Sequence, residues 1–188
     1  AATLENTSRM NAIVLDKTGT LTDGKPRVTD VLAFNGFNEA EVLRYEASLE
    51  AGSNHPLAKA ILEEAERRKI LPLEPIEDFK SIAGYGIKAT IKGLAVYAGK
   101  EKLLNDNGIN TSAGRDSINR LASEGKSLSL LSVDGKFVGI IAAADVTRPN
   151  TKKTINSLKD LGMEVIMITG DHKMVAEAIG QELGIDRV

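Results

Sequence analysis

The chain has 188 residues and is 42% hydrophobic and 27% charged, the balance of a globular protein with room for one large domain or two small ones. Its formal net charge of −2 argues against general nucleic-acid affinity, which needs a basic face, and the absence of cysteine excludes disulfides, thiolate metal sites and a thiol nucleophile. Two histidines make a zinc site unfavourable, and runs such as Ile140-Ile141-Ala142-Ala143-Ala144 fall far short of the ~20 apolar residues that span a bilayer.

Residues 1–11 are polar and lack the apolar core of a signal peptide. The chain starts without Met and stops just after a helical pattern, which reads as an excised piece of a longer protein or equally as a trimmed natural domain.

The first element is the apolar run Ala12-Ile13-Val14-Leu15, a strand expected to be buried on both faces and to end at Asp16. Asp16-Lys17-Thr18-Gly19-Thr20-Leu21-Thr22 follows. A carboxylate at a strand end on a tight glycine turn is placed to act as a nucleophile, and the turn's N–H groups and hydroxyls can bind a phosphoryl group. A lone strand-end Asp is more often a helix cap or an Asx turn. A plain turn, however, does not require Lys, Thr and Gly in this order.

The middle of the chain predicts amphipathic helices over residues 39–49 and 56–69. In the second, Leu57, Ala58, Ile61, Leu62 and Ala65 share a face, Pro56 suits the first turn, and Asn54 or His55 caps it. Short strands follow over residues 86–91, 94–97, 128–133 and 137–142, with Asp134-Gly135 as a hairpin turn and a helix over 113–122 between them. From Asp145 the pattern changes again. A helix between Pro149 and Gly162 carries Ile155, Leu158 and Leu161. A strand, Glu164-Val165-Ile166-Met167-Ile168, ends in Thr169-Gly170-Asp171, and a last helix carries Val175, Ala176, Ile179 and Leu183. Strands alternating with helices at the two ends predict a parallel α/β sheet with its chemistry at the strands' carboxyl ends, split by an α+β insert.

The heptapeptide from Asp16 to Thr22 resembles the phosphorylation motif of P-type ATPases, ion pumps of the haloacid dehalogenase-like superfamily. Thr169-Gly170-Asp171 and Asp145-Val146-Thr147-Arg148-Pro149 match two further segments. Ser53-Asn54-His55-Pro56-Leu57, with Glu50 before it and Gly84-Tyr85-Gly86 after it, resembles the nucleotide motifs of the heavy-metal subclass. The resemblance implies a truncated Rossmann-like phosphorylation domain (residues 1–24 and 145–188) with an inserted nucleotide-binding domain built on an antiparallel sheet (25–144). It implies that Asp16 accepts the γ-phosphate of ATP, with Lys17, Thr18, Thr169 and Asp171 around it and Mg²⁺ held at Asp16 and Thr18. Glu50 and His55 are assigned to the adenine end of ATP, Gly84 and Gly86 to close backbone approach at base and phosphates, and Asp145 and Arg148 to the nucleotide or, equally, to an ion pair opening a helix. Hinge closure brings the phosphate to Asp16.

Thr18 stands where superfamily phosphatases carry a second Asp as general acid and base, so an aspartyl phosphate is expected to hydrolyse slowly, which suits a pump. Three departures qualify the likeness. Lys100 follows Gly99 where many heavy-metal pumps have Asn, and His172, read as a surface or capping residue, stands where many have Asn. The sequence also stops before the family's G-D-G-x-N-D block, which supplies a Mg²⁺ carboxylate, so the piece is expected to bind ATP and to phosphorylate poorly.

The implied partners are ATP and the rest of the same pump, its membrane helices and actuator domain, with no nucleic acid. The piece is expected to be soluble and to sit on the cytoplasmic face. The transported ion binds elsewhere, and copper is favoured over zinc or cadmium. Two rivals stand beside this reading: a soluble phosphatase with a cap domain, and a nucleotide-binding module without catalysis.

Overall fold

The computed structural model describes residues 11–53, 55–170 and 173–188. The elements are β1 (Ala12–Asp16), β2 (Thr22–Ala33), α1 (Glu39–Glu50), α2 (Pro56–Arg67), β3 (Glu77–Ile82), β4 (Gly86–Ile91), β5 (Leu94–Gly99) and α3 (Glu101–Asp106). Next come α4 (Arg115–Ser123), β6 (Ser127–Val133), β7 (Lys136–Thr147), α5 (Thr151–Asp160), β8 (Glu164–Ile168) and α6 (Lys173–Leu183). They divide into two compact units, one made of the chain through Lys25 plus Asp145–Val188, the other Pro26–Ala144. The first junction thus falls one residue after the predicted one, and β2 and β7 each run across a junction.

In the first unit β1 and β8 pair in parallel, from Ala12 opposite Glu164 to Asp16 opposite Ile168. Parallel neighbours need a crossover, and α5 and α6 flank β8 in sequence. Val165 and Met167 of β8 pack with Leu21, Ile155, Ala176 and Leu183, and half-buried Ile13 and Leu15 of β1 join them. The opposite face departs from the expectation of burial on both sides. Val14 is 54% exposed and Ile168 60%, because both helices contribute their apolar stripes to the other face. Leu161 is also exposed, since α5 ends at Asp160 and the left-handed Gly162 (φ 81°) turns the chain away.

The second unit is a six-stranded sheet in the order β2-β7-β6-β5-β4-β3, antiparallel from β3 through β7. Its period-two strands send side chains to two separate cores. On one side Val42, Leu43 and Ala47 of α1 and Ile61 and Ala65 of α2 pack over Ile87, Ile91, Val96, Leu131 and Ile141. On the other, Leu103 and Leu104 of α3 and Ile118 and Leu121 of α4 pack over Leu130, Phe137, Ile140 and Ala142.

Local signals set the helix starts. Asn38 and Glu41 form a reciprocal capping box at α1, and Pro56 opens α2. Three elements were not predicted: β2, β3 and α3. Gly24 and Pro26 read as breakers, but β2 lies at the sheet edge, where proline is tolerated. Strand β3, the other edge, is polar and almost wholly exposed, so it lacks the alternation that marks a strand.

Candidate functional site

Each unit carries one candidate site. The first is the wide turn Lys17–Leu21, which leaves the carboxyl end of β1 through a left-handed Gly19 (φ 79°). Asp16, Thr18 and Thr20 are exposed there, whereas Lys17 is buried. The turn is held from within. Thr22, wholly buried, accepts the Gly19 N–H at its hydroxyl (3.2 Å), and its own proton lies between Lys17 O (3.0 Å) and Asp145 Oδ2 (2.5 Å).

Asp145 also accepts the Gly24 N–H at Oδ1 (3.0 Å). Arg148 donates from Nη2 to Gly19 O (2.8 Å) and from Nε to Thr22 O (3.0 Å), and the Thr151 hydroxyl donates to Leu21 O (2.9 Å). The turn therefore keeps its shape through side chains from the far end of the insert, and the exposed carboxylate sits on a braced backbone. In this arrangement Asp145 and Arg148 spend their hydrogen bonds on the turn. Thr169, half-buried, follows Ile168, the residue paired with Asp16, so both lie at the carboxyl end of the parallel pair. Asp171 and His172 lie outside the described residues.

The second site is a cavity of about 450 Å³ in the other unit. The C-terminal end of α1, the start of α2, the β3–β4 turn, the end of β5 and the start of β6 line it. Glu50, His55, Gly84 and Gly86 all face it. Glu50 is the last residue of α1 and is 8% exposed. Burial pushes its carboxyl above the usual carboxylate range, with a hydrogen bond from Ser53 and the nearby His55 pulling the other way. Its Oε2 is buried without a hydrogen-bond partner among the described residues.

His55 caps α2, accepting the Leu57 N–H at Nδ1 (3.2 Å). The capping bond occupies one nitrogen, so in the neutral ring the other, Nε2, carries the hydrogen and is a donor. Capping and ligand contact are thus compatible in a single imidazole. Of the two glycines, Gly84 (φ 78°) has open space where a Cβ would stand, while a Cβ on Gly86 (φ 149°) would clash with Ala98 O and meet Gly99 Cα at 2.8 Å. Gly86 is opposite Gly99 in the β4–β5 ladder, and its need for glycine comes from that backbone contact.

The sequence reading quoted Tyr85, Gly99 and Lys100 without giving them a role in the site, and it missed Ser127 and Ser129; all five line the cavity. It also missed Glu46, which is fully buried one helical turn before Glu50, with its Oε1 accepting the Ser129 hydroxyl. The signal for Glu46 was present as a charged residue on the apolar face of α1, between Leu43 and Ala47. Among the described residues no group of three or more His, Cys, Asp or Glu side chains is arranged to hold a metal ion, and no helix is long and apolar enough to cross a membrane.

Residues 10–188 match the haloacid dehalogenase-like hydrolase family. A copper-exporting P-type ATPase of Bacillus subtilis (strain 168) is 40% identical over 185 residues, which is 98% of this chain and 23% of that protein. A crystal structure of a zinc-transporting PIB-type ATPase in its E2.Pi state superposes with a TM-score of 0.89 at 35% identity, covering 100% of this chain and 30% of the other. The catalytic domain of the CPx-ATPase CopB-B, in a study of its conformational changes upon nucleotide binding, aligns over 100% of this chain and 63% of that one (TM-score 0.68, 27% identity). The chain spans about a quarter of the length of the curated relatives it matches.

Proposed function

We propose, on the premise that this chain belongs to the haloacid dehalogenase-like hydrolase family, that it is the ATP-binding and phosphorylation portion of a heavy-metal-exporting P-type ATPase. One observation carries the reading: an exposed strand-end aspartate on a braced Asp-Lys-Thr-Gly-Thr turn shares its chain with a separate unit whose cavity presents an unpartnered buried carboxylate oxygen. That oxygen, Glu50 Oε2, suits the exocyclic amine of adenine, because a buried acceptor left without a donor costs ~1–3 kcal/mol. His55 offers Nε2–H or its ring face to the base, and Gly84 leaves room for a ligand to approach the backbone.

The chemistry is an in-line displacement. A carboxylate oxygen of Asp16 attacks the terminal phosphorus of ATP, the bond to the β–γ bridging oxygen breaks, and ADP departs with that electron pair. Lys17 adds positive charge to the turn, and Thr169 donates its hydroxyl to the phosphoryl group. Asp145 and Arg148 hold the turn in shape while the charge moves. A threonine hydroxyl at position 18 cannot shuttle a proton near neutral pH, so the acyl phosphate persists.

Asp16 and Thr18 would hold Mg²⁺, which when bound would offset negative charge on the phosphates. One carboxylate plus substrate phosphates is how this hard ion is commonly bound. Thr18 also separates the reading from a soluble phosphatase. The parent protein holds the transported ion in its membrane region, and copper, the ion named for several relatives, is the proposed cargo.

Calorimetric titration of ATP against this chain tests the proposal. Binding that weakens about tenfold in Glu50→Ala and in His55→Ala supports it. Absent ATP binding combined with rapid turnover of small phosphomonoesters overturns it.

A further inference from the structure

Glu46 is a buried acid for which the proposed reaction has no use. It is 0% exposed, Oε1 is bonded to Ser129 Oγ, and Oε2 has no hydrogen-bond partner among the described residues. Ser129 lines the cavity, and so does Glu50, one helical turn beyond Glu46. The Ser129 hydroxyl has one proton. If Glu46 is ionised, that proton is drawn to the carboxylate. If Glu46 is protonated, the acid O–H can donate to Ser129 Oγ, and the serine proton is free to turn toward the cavity.

We propose that Glu46 is a positioning residue of this cavity: as the carboxylic acid it aims the Ser129 hydroxyl at an acceptor on the ligand, a ring nitrogen of a purine base, and on ionising it withdraws that donor. The inference rests on the reading of the cavity as a nucleotide site and adds to it a protonation-dependent contact with the base.

Burial pushes the Glu46 carboxyl up to about 8, with Glu50 raising it and the Ser129 bond lowering it, so the acid form prevails at neutral pH. Titratable groups on the surrounding elements are few or engaged. Strand β6 has none, Lys88 of β4 lies over the Tyr97 ring of β5, and Glu64 of α2 is bound by Arg67 and Arg68. Glu50 and its neighbour His55 are the groups that act nearby.

The test is the affinity of the chain for ATP without divalent metal, from pH 6.5 to 9.5, in the wild type, Glu46→Gln and Ser129→Ala. The glutamine amide donates to Ser129 Oγ at every pH, so Glu46→Gln holds the hydroxyl in its binding orientation. The ligand's own titration cancels in the ratio of the two affinities. The expected result is equal affinity near pH 6.5, with the wild type about fivefold weaker above pH 9, the value of one hydrogen bond. Ser129→Ala is expected to be about fivefold weaker at low pH and no weaker than the wild type at high pH.

A ratio that stays constant with pH while ATP binds normally overturns this proposal and leaves the nucleotide reading standing. No ATP binding by the wild type at any pH overturns both. Should Glu46→Gln fail to fold, carbon NMR of the Glu46 carboxyl decides, and ionisation near the ordinary glutamate value overturns the proposal.

Discussion

The two units solve the same problem at different scales. The second covers a six-stranded sheet on both faces and has two cores, whereas the first covers two strands on one face and leaves Val14 and Ile168 exposed on the other. Their polar residues are arranged in opposite ways. In the first unit the candidate nucleophile Asp16 faces solvent, and the buried Thr22, the half-buried Asp145 and the exposed Arg148 brace the turn behind it. In the second the carboxyls Glu46 and Glu50 are themselves buried, each with an oxygen that lacks a hydrogen-bond partner among the described residues. Covalent chemistry on a diffusing phosphate needs an accessible group on a rigid turn. Recognition of a base needs desolvated polar atoms that only the right ligand satisfies.

The largest expected effect separates the two roles outright. In the proposed full-length pump, Asp16→Asn is expected to abolish acid-stable labelling from γ-labelled ATP, a loss of at least about a thousandfold, while the affinity of this chain for ATP stays within about twofold. A large change in binding would break the division of labour.

The next is structural. Gly86→Ala drives a Cβ into the backbone of Ala98 and Gly99 at φ 149° and is expected to cost about 4 kcal/mol in denaturant unfolding of the second unit. Gly84→Ala, with open space around its Cβ, is expected to cost only about 1 kcal/mol. In the smaller core, Ile155→Ala is expected to remove about 3 kcal/mol and to lower hydrogen-exchange protection in β1 and β8, with β4–β7 unchanged.

The contrast between the buried and exposed carboxyls predicts a pH slope. Glu46 titrates near 4.5 unfolded and near 8 folded, so between these values the native state holds a proton that the unfolded chain has lost. Stability therefore falls as pH rises, by about 1.4 kcal/mol per unit, and is fully present below pH 4.5. Glu46→Gln is expected to remove that slope in urea unfolding measured from pH 5 to 8.

The smallest effect separates the two uses of His55. Asparagine is a good helix cap without an imidazole Nε2, so His55→Asn is expected to keep stability within about 0.5 kcal/mol and to weaken ATP binding about fivefold.

Much of this was legible in the chain. The run ending at Asp16, the β-branched strand ending at Ile168, the His55-Pro56 helix start and the Asp134-Gly135 hairpin all depend on signals within a few residues, and each element lies where its signal put it. Strand β3 and helix α3 were not, since a polar edge strand and a six-residue helix leave too little periodicity to detect. Nor was the bracing of the turn by Asp145 and Arg148, because those bonds join residues more than 120 positions apart.

The sequence by itself determined the motifs, the interruption of one unit by another and the chemical types at both sites, because these follow from residue identity and short-range spacing. Only the tertiary structure decided that Glu46 lies behind Ser129, that Gly86 is required by Gly99, and that the β1–β8 pair is covered on one face alone. Burial and long-range contact depend on which segments the fold brings together, and local sequence does not encode that.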